Sequence, residues 1–440
     1  MEAGTQMGER EHSRRPTAPP GRRGDGAVAP ARPSGARLAA FRYAAFRLFW
    51  IGQLATNVGT WMQIVATGWL VLELTDSPAF LGLNAVFQGV PILACALVGG
   101  VVADRFDRYR LMVGAQLIQL FPDVALALLV ATGQVHVVHI FLYSLLTAVI
   151  NGLTTPARQA FVPRLVPPPA LVSAVALNSA VWQGGAVVGP TLAGLVLAAW
   201  GTPGNFYLNV VSDLVNLGAM LLIRAAPAAP PPVRESPWQS LAQGTRYVFR
   251  EANVRTLLLA VAALSLLGRP YTQLLPVFAR DVFHTGPQGL GVMLTMPAIG
   301  AVAAAFGLGL LGESASTPWF LATAVAQALA LGAFAASPLF GVSLALLFVM
   351  GATSAIASAL ANTLLLQLVE ERMRGRVMGF FMAATWGGWR LGAFPAGLVA
   401  EAWGAQPALG LCAATLLAVQ VPLARSRLLR AGAEPARAQH

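Results

Sequence analysis

The chain of 440 residues is 56% hydrophobic and only 11% charged, with a mean hydropathy of +0.64. Soluble domains carry about 25% charged residues, so this composition excludes a soluble multidomain protein and indicates one that crosses a membrane many times. The net charge of +11 would suit nucleic acid in a soluble chain, but no basic face alternates with aromatic residues, and nucleic-acid binding is not expected.

The two ends of the chain differ from its middle. Residues 1–45 are rich in Pro, Gly, Arg and Ala and lack an apolar core, which predicts a disordered cytoplasmic tail. A second cytoplasmic tail is predicted at 426–440.

Apolar runs of about 20 residues, the length that spans a bilayer, recur along most of the chain. They predict an all-α membrane protein with twelve transmembrane helices in two six-helix halves, at 46–224 and 256–425. The predicted spans are 48–72, 80–103, 110–132, 138–160, 171–199, 204–224, 256–279, 287–311, 316–336, 339–368, 376–400 and 404–424.

Arginines in the loops predict the orientation. They lie before the first span, after the last, in the central loop, and in the loops after spans two, four and ten. The opposite loops carry little charge beyond Glu73, Asp76, Arg280, Asp281 and Glu401. Because basic loops stay in the cytoplasm, both termini are predicted to be cytoplasmic.

The linker 225–255 is the longest hydrophilic break. It opens with a proline cluster, and Ser236 followed by Pro237 is a helix-start signal. The residues that follow predict an interfacial helix on the cytoplasmic leaflet, with an apolar face of Trp238, Leu241, Tyr247 and Val248 opposite Arg246 and Arg250. A flexible linker is the alternative.

The fifth and eleventh spans repeat one pattern. Each contains a tryptophan, then Ala-Gly-Leu-Val, then Trp-Gly, at Trp182, 193–196 and 200–201 in one copy and at Trp386, 396–399 and 403–404 in the other. The two spans occupy equivalent places in the two halves. Internal duplication of this kind is typical of secondary carriers.

A charged turn at 99–110 separates two apolar runs and reads Gly-Gly-Val-Val-Ala-Asp-Arg-Phe-Asp-Arg-Tyr-Arg. This turn resembles the major facilitator superfamily, and within it the drug and siderophore efflux branch, as do the stretches 46–50, 69–78, 176–179 and 374–379. The resemblance covers nearly all residues from 46 to 421. It implies the major facilitator fold, with two pseudo-symmetric halves that open alternately to each side of the membrane.

In the superfamily this turn is a conformational latch. The resemblance implies that Gly100 lets helices approach closely and that Asp104 contacts the start of the eleventh helix. It also implies that Arg105 and Arg108 contact neighbouring cytoplasmic helix ends. Asp107 stands where the superfamily pattern has a second glycine, which departs from that pattern. The alternative is that these charges only fix the orientation.

In the fifth span, Gly185, Gly189, Pro190 and Gly194 resemble a signature of exporters and antiporters. Small residues allow close helix packing, and Pro190 removes a backbone donor and bends the helix. Such a helix between the halves would seal the cavity against leakage. Ordinary glycine-rich packing is the alternative.

Four charged residues fall inside the predicted spans, although a charge at the bilayer centre costs roughly 2.5–3.5 kcal/mol. Arg269 lies on the seventh span, which lines the cavity in the superfamily, and is the first candidate for a substrate or coupling residue. Arg390, beside Trp386 and Trp389 in the eleventh span, is the second. Two cations in the cavity would favour an anionic substrate. Asp123 and Asp213 are candidate proton sites on spans that are usually peripheral. The alternative is that the two acids and two bases neutralise one another in structural pairs.

Among uncharged residues, Asn57, Gln63 and Asn151 are candidate substrate contacts, because the first and fourth helices line the cavity in the superfamily. Polar residues of these types also form helix–helix contacts. Cys95 and Cys412 lie inside apolar runs, without disulfide or metal spacing.

The sequence therefore predicts a secondary active transporter of a bacterial plasma membrane that exports small amphipathic molecules, of drug or siderophore type, by proton antiport. A symporter or uptake carrier, a lysolipid carrier and a non-transporting sensor are the alternatives. Its expected partners are a small-molecule substrate, protons and the lipid bilayer, and we expect a monomer. No cofactor or metal is expected, and acids and histidines do not cluster as an enzyme would require.

Overall fold

The computed structural model of this chain describes residues 36–105, 107–223, 237–311 and 316–425, and its regular structure within these ranges is helical. Twelve helices form the membrane region, and we label them α1 to α12. They are Ala44–Thr75, Pro78–Arg105, Arg108–Ala131, Val137–Phe161, 171–200, 202–222, Ala252–Val282, Gly286–Leu311, Thr317–Ala336, Phe340–Leu368, 374–403 and Ala405–Arg425. The predicted fold is confirmed.

Apolar length supports the membrane assignment. Eight described stretches are long and apolar enough to cross a membrane on their own, and one of them, Pro168–Leu222, contains both α5 and α6. The chain is therefore a multi-pass membrane protein.

Two predicted boundaries differ from the structure. Residues Ala36–Arg42 form a short 3-10 helix and α1 begins at Ala44, so the last part of the predicted tail 1–45 is ordered. Ala40 in this helix is buried, and its N–H donates to the Ser173 hydroxyl, which holds the segment against the bundle. In the predicted linker, Pro237–Arg250 is helical, and α7 begins at Ala252.

We call the end of the bundle where α1 begins and α12 ends the terminal end, and the opposite end the distal end. At the distal end the connections are short. Gly201 joins α5 to α6, and Gly404 joins α11 to α12, each with a positive φ (69° and 92°) that an L side chain rarely adopts. These two one-residue turns occupy equivalent places in the sequence repeat.

Two helix pairs join the halves: α2 packs on α11, and α5 packs on α8. The close approaches are equivalent in both pairs. A Cβ on Gly194 would lie 2.7 Å from the carbonyl oxygen of Pro287, and a Cβ on Gly397 would lie 2.7 Å from that of Pro78. The repeat seen in the sequence is therefore a structural two-fold repeat, and its glycines bring the halves together.

The buried core shows where the halves meet. One cluster contains residues of both halves, including Leu72, Leu274 and Phe334, and lies toward the distal end. Toward the terminal end each half has its own cluster, one around Phe46 and Phe161 and another around residues of α7, α9 and α10. The halves thus share a buried cluster toward the distal end.

Candidate functional site

Two arginines share one tryptophan ring. The Cζ atoms of Arg269 on α7 and Arg390 on α11 lie 5.4 Å and 4.8 Å from the ring centre of Trp389. A guanidinium at this distance is attracted by the ring quadrupole. Trp389 therefore holds two positive charges close together inside the membrane region.

Arg269 lies at a break in α7. Pro270 lacks an N–H, so the helix stops at Gly268 and resumes at Tyr271. The freed carbonyl of Gly268 accepts a hydrogen bond from Nε2 of Gln327 at 3.0 Å. Just after the break, Nε1 of Trp389 donates to Oγ1 of Thr272 at 2.7 Å. The break thus fixes the position of the arginine beside its tryptophan.

Replacing Gln327 with leucine should lower the thermal unfolding temperature of the purified protein. Gln327 is fully buried, and without it the Gly268 carbonyl loses its donor, which costs about 1–3 kcal/mol for a buried polar group. The matched control is Gln134→Leu, because Gln134 is exposed. Equal losses in the two variants would contradict this role for Gln327.

Arg390 belongs to the second half but packs against α2 of the first half. A π-helical turn at Ala383–Gly387 precedes it, and such turns are frequent at functional sites. On one side Gly392 approaches the carbonyl oxygen of Leu266 in α7. On the other, a Cβ on Gly89 of α2 would lie 2.7 Å from the Cβ of Arg390. The arginine therefore lies at the boundary between the halves.

A row of tryptophans extends from this pair across the boundary. Ring centres are 6.3 Å apart for Trp389 and Trp386, 5.8 Å for Trp386 and Trp182, and 5.9 Å for Trp182 and Trp61. Trp182 and Trp386 are 39% and 37% exposed, so their faces are available for contact. The sequence showed these two only as a repeat, and it gave no signal that Trp61 joins them.

The alternative in which the acids pair with the bases is not seen among the described residues. Arg269 and Arg390 form no ion pair or hydrogen bond in the described part of the chain, and the buried Nε of Arg390 lacks a partner there. Asp123 and Asp213 lie near each other instead, since Asn209, one turn before Asp213, donates to Oδ1 of Asp123 at 3.4 Å. The charges separate by sign because α3 and α6 pack together in the first half, whereas α7 and α11 pack in the second.

A polar network surrounds the two acids. The hydroxyl of Tyr143 donates to Oδ1 of Asp123 at 2.6 Å, and Nε2 of Gln119 donates to both of its oxygens at 3.0 and 3.1 Å. Oδ1 of Asp213 accepts from Nε2 of Gln116 at 2.9 Å and from the Thr56 hydroxyl at 3.3 Å. Both acids are thus buried in the first half among neutral donors.

The three uncharged candidates, Asn57, Gln63 and Asn151, do not form one site. Gln63 donates to the Tyr143 hydroxyl and so belongs to the network of acids. Asn57 is buried, and its Nδ2 donates to the carbonyl of Gln53 at 2.7 Å. Asn151 is exposed, and its Nδ2 donates within its own helix to Thr147 at 2.9 Å. None of the three contacts the arginine pair.

The glycines of α5 pack against both halves. A Cβ on Gly185 would lie 3.0 Å from the Cβ of Asn57, and one on Gly189 would lie 2.5 Å from the Cβ of Trp61. One turn further, Gly194 meets α8. The backbone at Pro190 stays helical, and the break in this stretch is at Gly201. The motif thus seats α5 between α1 and α8.

Most of the predicted latch lies outside the residues whose side chains the structure describes: Gly100, Asp104 and Arg105 fall there. Nη1 of Arg108 donates to the carbonyl of Ala160 at 3.2 Å, which ties α3 to the end of α4. Asp107 accepts from the N–H of Arg110 at 2.9 Å and so caps α3. This capping role accounts for an aspartate where the superfamily has glycine.

Two charged contacts close the distal end. Arg280 at the end of α7 pairs with Asp76 after α1, and its Nη1 donates to the carbonyl of Leu72. Glu401 at the end of α11 accepts from the Ser77 hydroxyl at 2.6 Å. Both contacts join the two halves. From the sequence, Asp76, Arg280 and Glu401 were used only to predict the orientation of the chain in the membrane.

Twelve helices in two repeated halves are the architecture of a secondary active transporter. The chain belongs to the transmembrane secretion effector family, whose sequence profile matches residues 35–440. The predicted relation to exporters of the major facilitator superfamily is confirmed.

Similar proteins agree with this assignment. The chain is 27% identical to the enterobactin exporter EntS of Shigella boydii and to that of Citrobacter koseri, over 79% of this chain and 83% of each relative. Among solved structures, the nucleoside transporter NupG matches with a TM-score of 0.71 and 15% identity, over 89% of this chain and all of that one. A bacterial homolog of Spinster in an inward-facing conformation matches with 0.70 and 14%, over 92% and 99%.

Proposed function

We propose that this transporter exports small, anionic aromatic molecules across a bacterial inner membrane by proton antiport. The observation that supports this most directly is the unpaired Arg269 and Arg390 beside four tryptophans at the boundary between the halves. Guanidinium groups bind anions, and indole faces bind aromatic rings. A substrate with an aromatic body and a negative group would satisfy both.

The arginine distribution supports the direction. At the terminal end, Arg42, Arg108, Arg250 and Arg372 lie beside helix ends, whereas Arg280 is the single arginine in the described part of the distal end. The positive-inside rule therefore favours a cytoplasmic terminal end. With the distal end closed, substrate would enter from the cytoplasm, which is the loading side for export.

The relatives support the substrate class. Their name states that they export enterobactin, which makes it the first natural candidate to test here.

The test uses purified protein in liposomes with an imposed pH gradient and an internal pH dye. The probes are enterobactin and a matched set with one aromatic body: naphthalenesulfonate, naphthylmethanol and naphthyltrimethylammonium. We expect proton movement with the anions, opposite in direction to the substrate. The neutral and cationic members of the set serve as controls for charge.

Proton movement with the cation and not the anions would contradict the substrate class. Movement of proton and substrate in the same direction would contradict antiport and favour the symporter reading. If no probe causes proton movement in protein that binds naphthalenesulfonate, proton coupling is contradicted, whereas the proposed binding site is not.

A further inference from the structure

The two acids in the first half lie in one buried polar region. Asp123 on α3 and Asp213 on α6 are 2% and 5% exposed. Nδ2 of Asn209, one helical turn before Asp213 on α6, donates to Oδ1 of Asp123 at 3.4 Å. Two carboxylates buried in one such region repel each other strongly when both are ionised, so the geometry favours one shared proton.

Neutral groups and one cation surround this pair. The groups that face it are Tyr143 and Arg158 from α4, Gln116 and Gln119 from α3, Thr56 from α1, and Asn209 from α6, whose Nδ2 lies 3.4 Å from Asp123. Of these, Arg158 alone is charged. It acts on Asp213 electrostatically but forms no ion pair with it in the described part of the chain. The pair can therefore gain and lose its proton without an ion pair to break.

Helix α1 connects this pair to the tryptophan row. The Thr56 hydroxyl donates to Asp213, and Gln63 donates to Tyr143, which donates to Asp123. Thr56 and Gln63 are seven residues apart, about two helical turns, and so lie on one face of α1. Between them in sequence lies Trp61, the first ring of the row. Both acids are therefore connected by hydrogen bonds to α1, the helix that carries Trp61.

We propose that Asp123 and Asp213 form the proton-binding site of this transporter, and that α1 transmits the presence or absence of the proton to the tryptophan row. The inference rests on the proposed proton antiport. In the protonated state the two carboxyl groups carry one negative charge between them. Release of that proton leaves two carboxylates that repel each other, and the changed hydrogen bonding at Thr56 and Gln63 moves α1 and Trp61.

The experiment separates coupling from transport itself. The variants are Asp123→Asn, Asp213→Asn and the double variant, with Glu370→Gln as the matched control because Glu370 is exposed and remote from the network. Each is assayed for accumulation of naphthalenesulfonate driven by a pH gradient, and for exchange of that probe across the membrane without a gradient. Exchange needs the binding site and the alternating movement but no net proton flow.

In the double variant we expect gradient-driven accumulation to fall by about 5–150-fold, the usual range of coupling between two sites, while exchange stays near the wild-type rate. The control should keep both. Proton-driven accumulation at the wild-type rate in the double variant would overturn the proposal. Wild-type protein that exchanges the probe but never responds to a gradient would instead refute proton antiport.

A second readout protects against variants that do not fold. Naphthalenesulfonate is added to detergent-solubilised protein in weak buffer with a pH dye. Wild type should release about one proton per bound molecule. Tyr143→Phe and Gln63→Leu keep both acids, but in these variants proton release should be less strongly linked to probe binding. Unchanged linkage between proton release and probe binding in both variants would contradict transmission through α1.

Discussion

The double variant Arg269→Leu with Arg390→Leu should bind naphthalenesulfonate at least about 100-fold more weakly than the wild type. Losing a charged partner in a water-poor contact costs about 2–5 kcal/mol, and each 1.4 kcal/mol is about tenfold in affinity. Both guanidinium groups lie at one tryptophan with no acid beside them in the described part of the chain. Calorimetric titration of purified protein measures the effect.

Two comparisons make this result specific to charge. Naphthylmethanol should bind the double variant and the wild type alike, because the tryptophans remain. Arg372→Leu should leave binding of the anion unchanged, since Arg372 is exposed and paired with Glu370. The double variant should also unfold at no lower temperature than the wild type, because two neighbouring like charges have been removed. An equal loss of affinity for both probes would contradict the assignment.

Gly194→Val should shift the transporter strongly toward a state in which the distal end is open. A side chain there would meet the backbone carbonyl of Pro287 and the Cα of Gly291, neither of which can move away easily. Overpacking of this kind costs typically 1–3 kcal/mol, and the cost falls only on the state in which α5 touches α8. The resulting population shift is about 5–150-fold.

The measurement is disulfide crosslinking between cysteines introduced at the distal ends of α5 and α8, in a background without the native cysteines. Crosslinking should fall in Gly194→Val and remain in Gly184→Val. Gly184 lies in the same helix, but a Cβ there would meet nothing within 4 Å. Unchanged crosslinking in the first variant would show that this contact does not close the distal end.

Most of the helices could be predicted from the sequence because hydropathy and helix length are local properties. The fifth and sixth spans were correctly separated near residue 200, since Trp-Gly-Thr-Pro-Gly interrupts the apolar run. The start of α7 was placed four residues late because Arg255 lies inside the helix. Residues 36–42 are ordered because Ala40 is buried against the bundle, and no local sequence pattern reveals that burial.

The candidate site could be predicted only in part. Arg269 and Arg390 were identified because charges inside apolar runs are conspicuous. Their contact with one tryptophan, and the proximity of Asp123 to Asp213, depend on which helices are neighbours and how each is rotated about its axis. Those two acids are separated by 90 residues of sequence. Asn57 and Asn151 were selected by helix number alone, and the structure adds only that each donates a hydrogen bond within its own helix.

The one-residue turn at Gly201 has a mechanical consequence. Only Gly201 separates α5 from α6, and just beyond it Nδ2 of Asn205 on α6 donates to the carbonyl of Ala193 on α5 at 3.1 Å, which ties the two helices together. Helix α5 carries the glycines that meet α8, and α6 carries Asp213. The surface that meets the second half and one of the two buried acids therefore lie on one tied pair of helices, so that we expect a displacement of one to move the other.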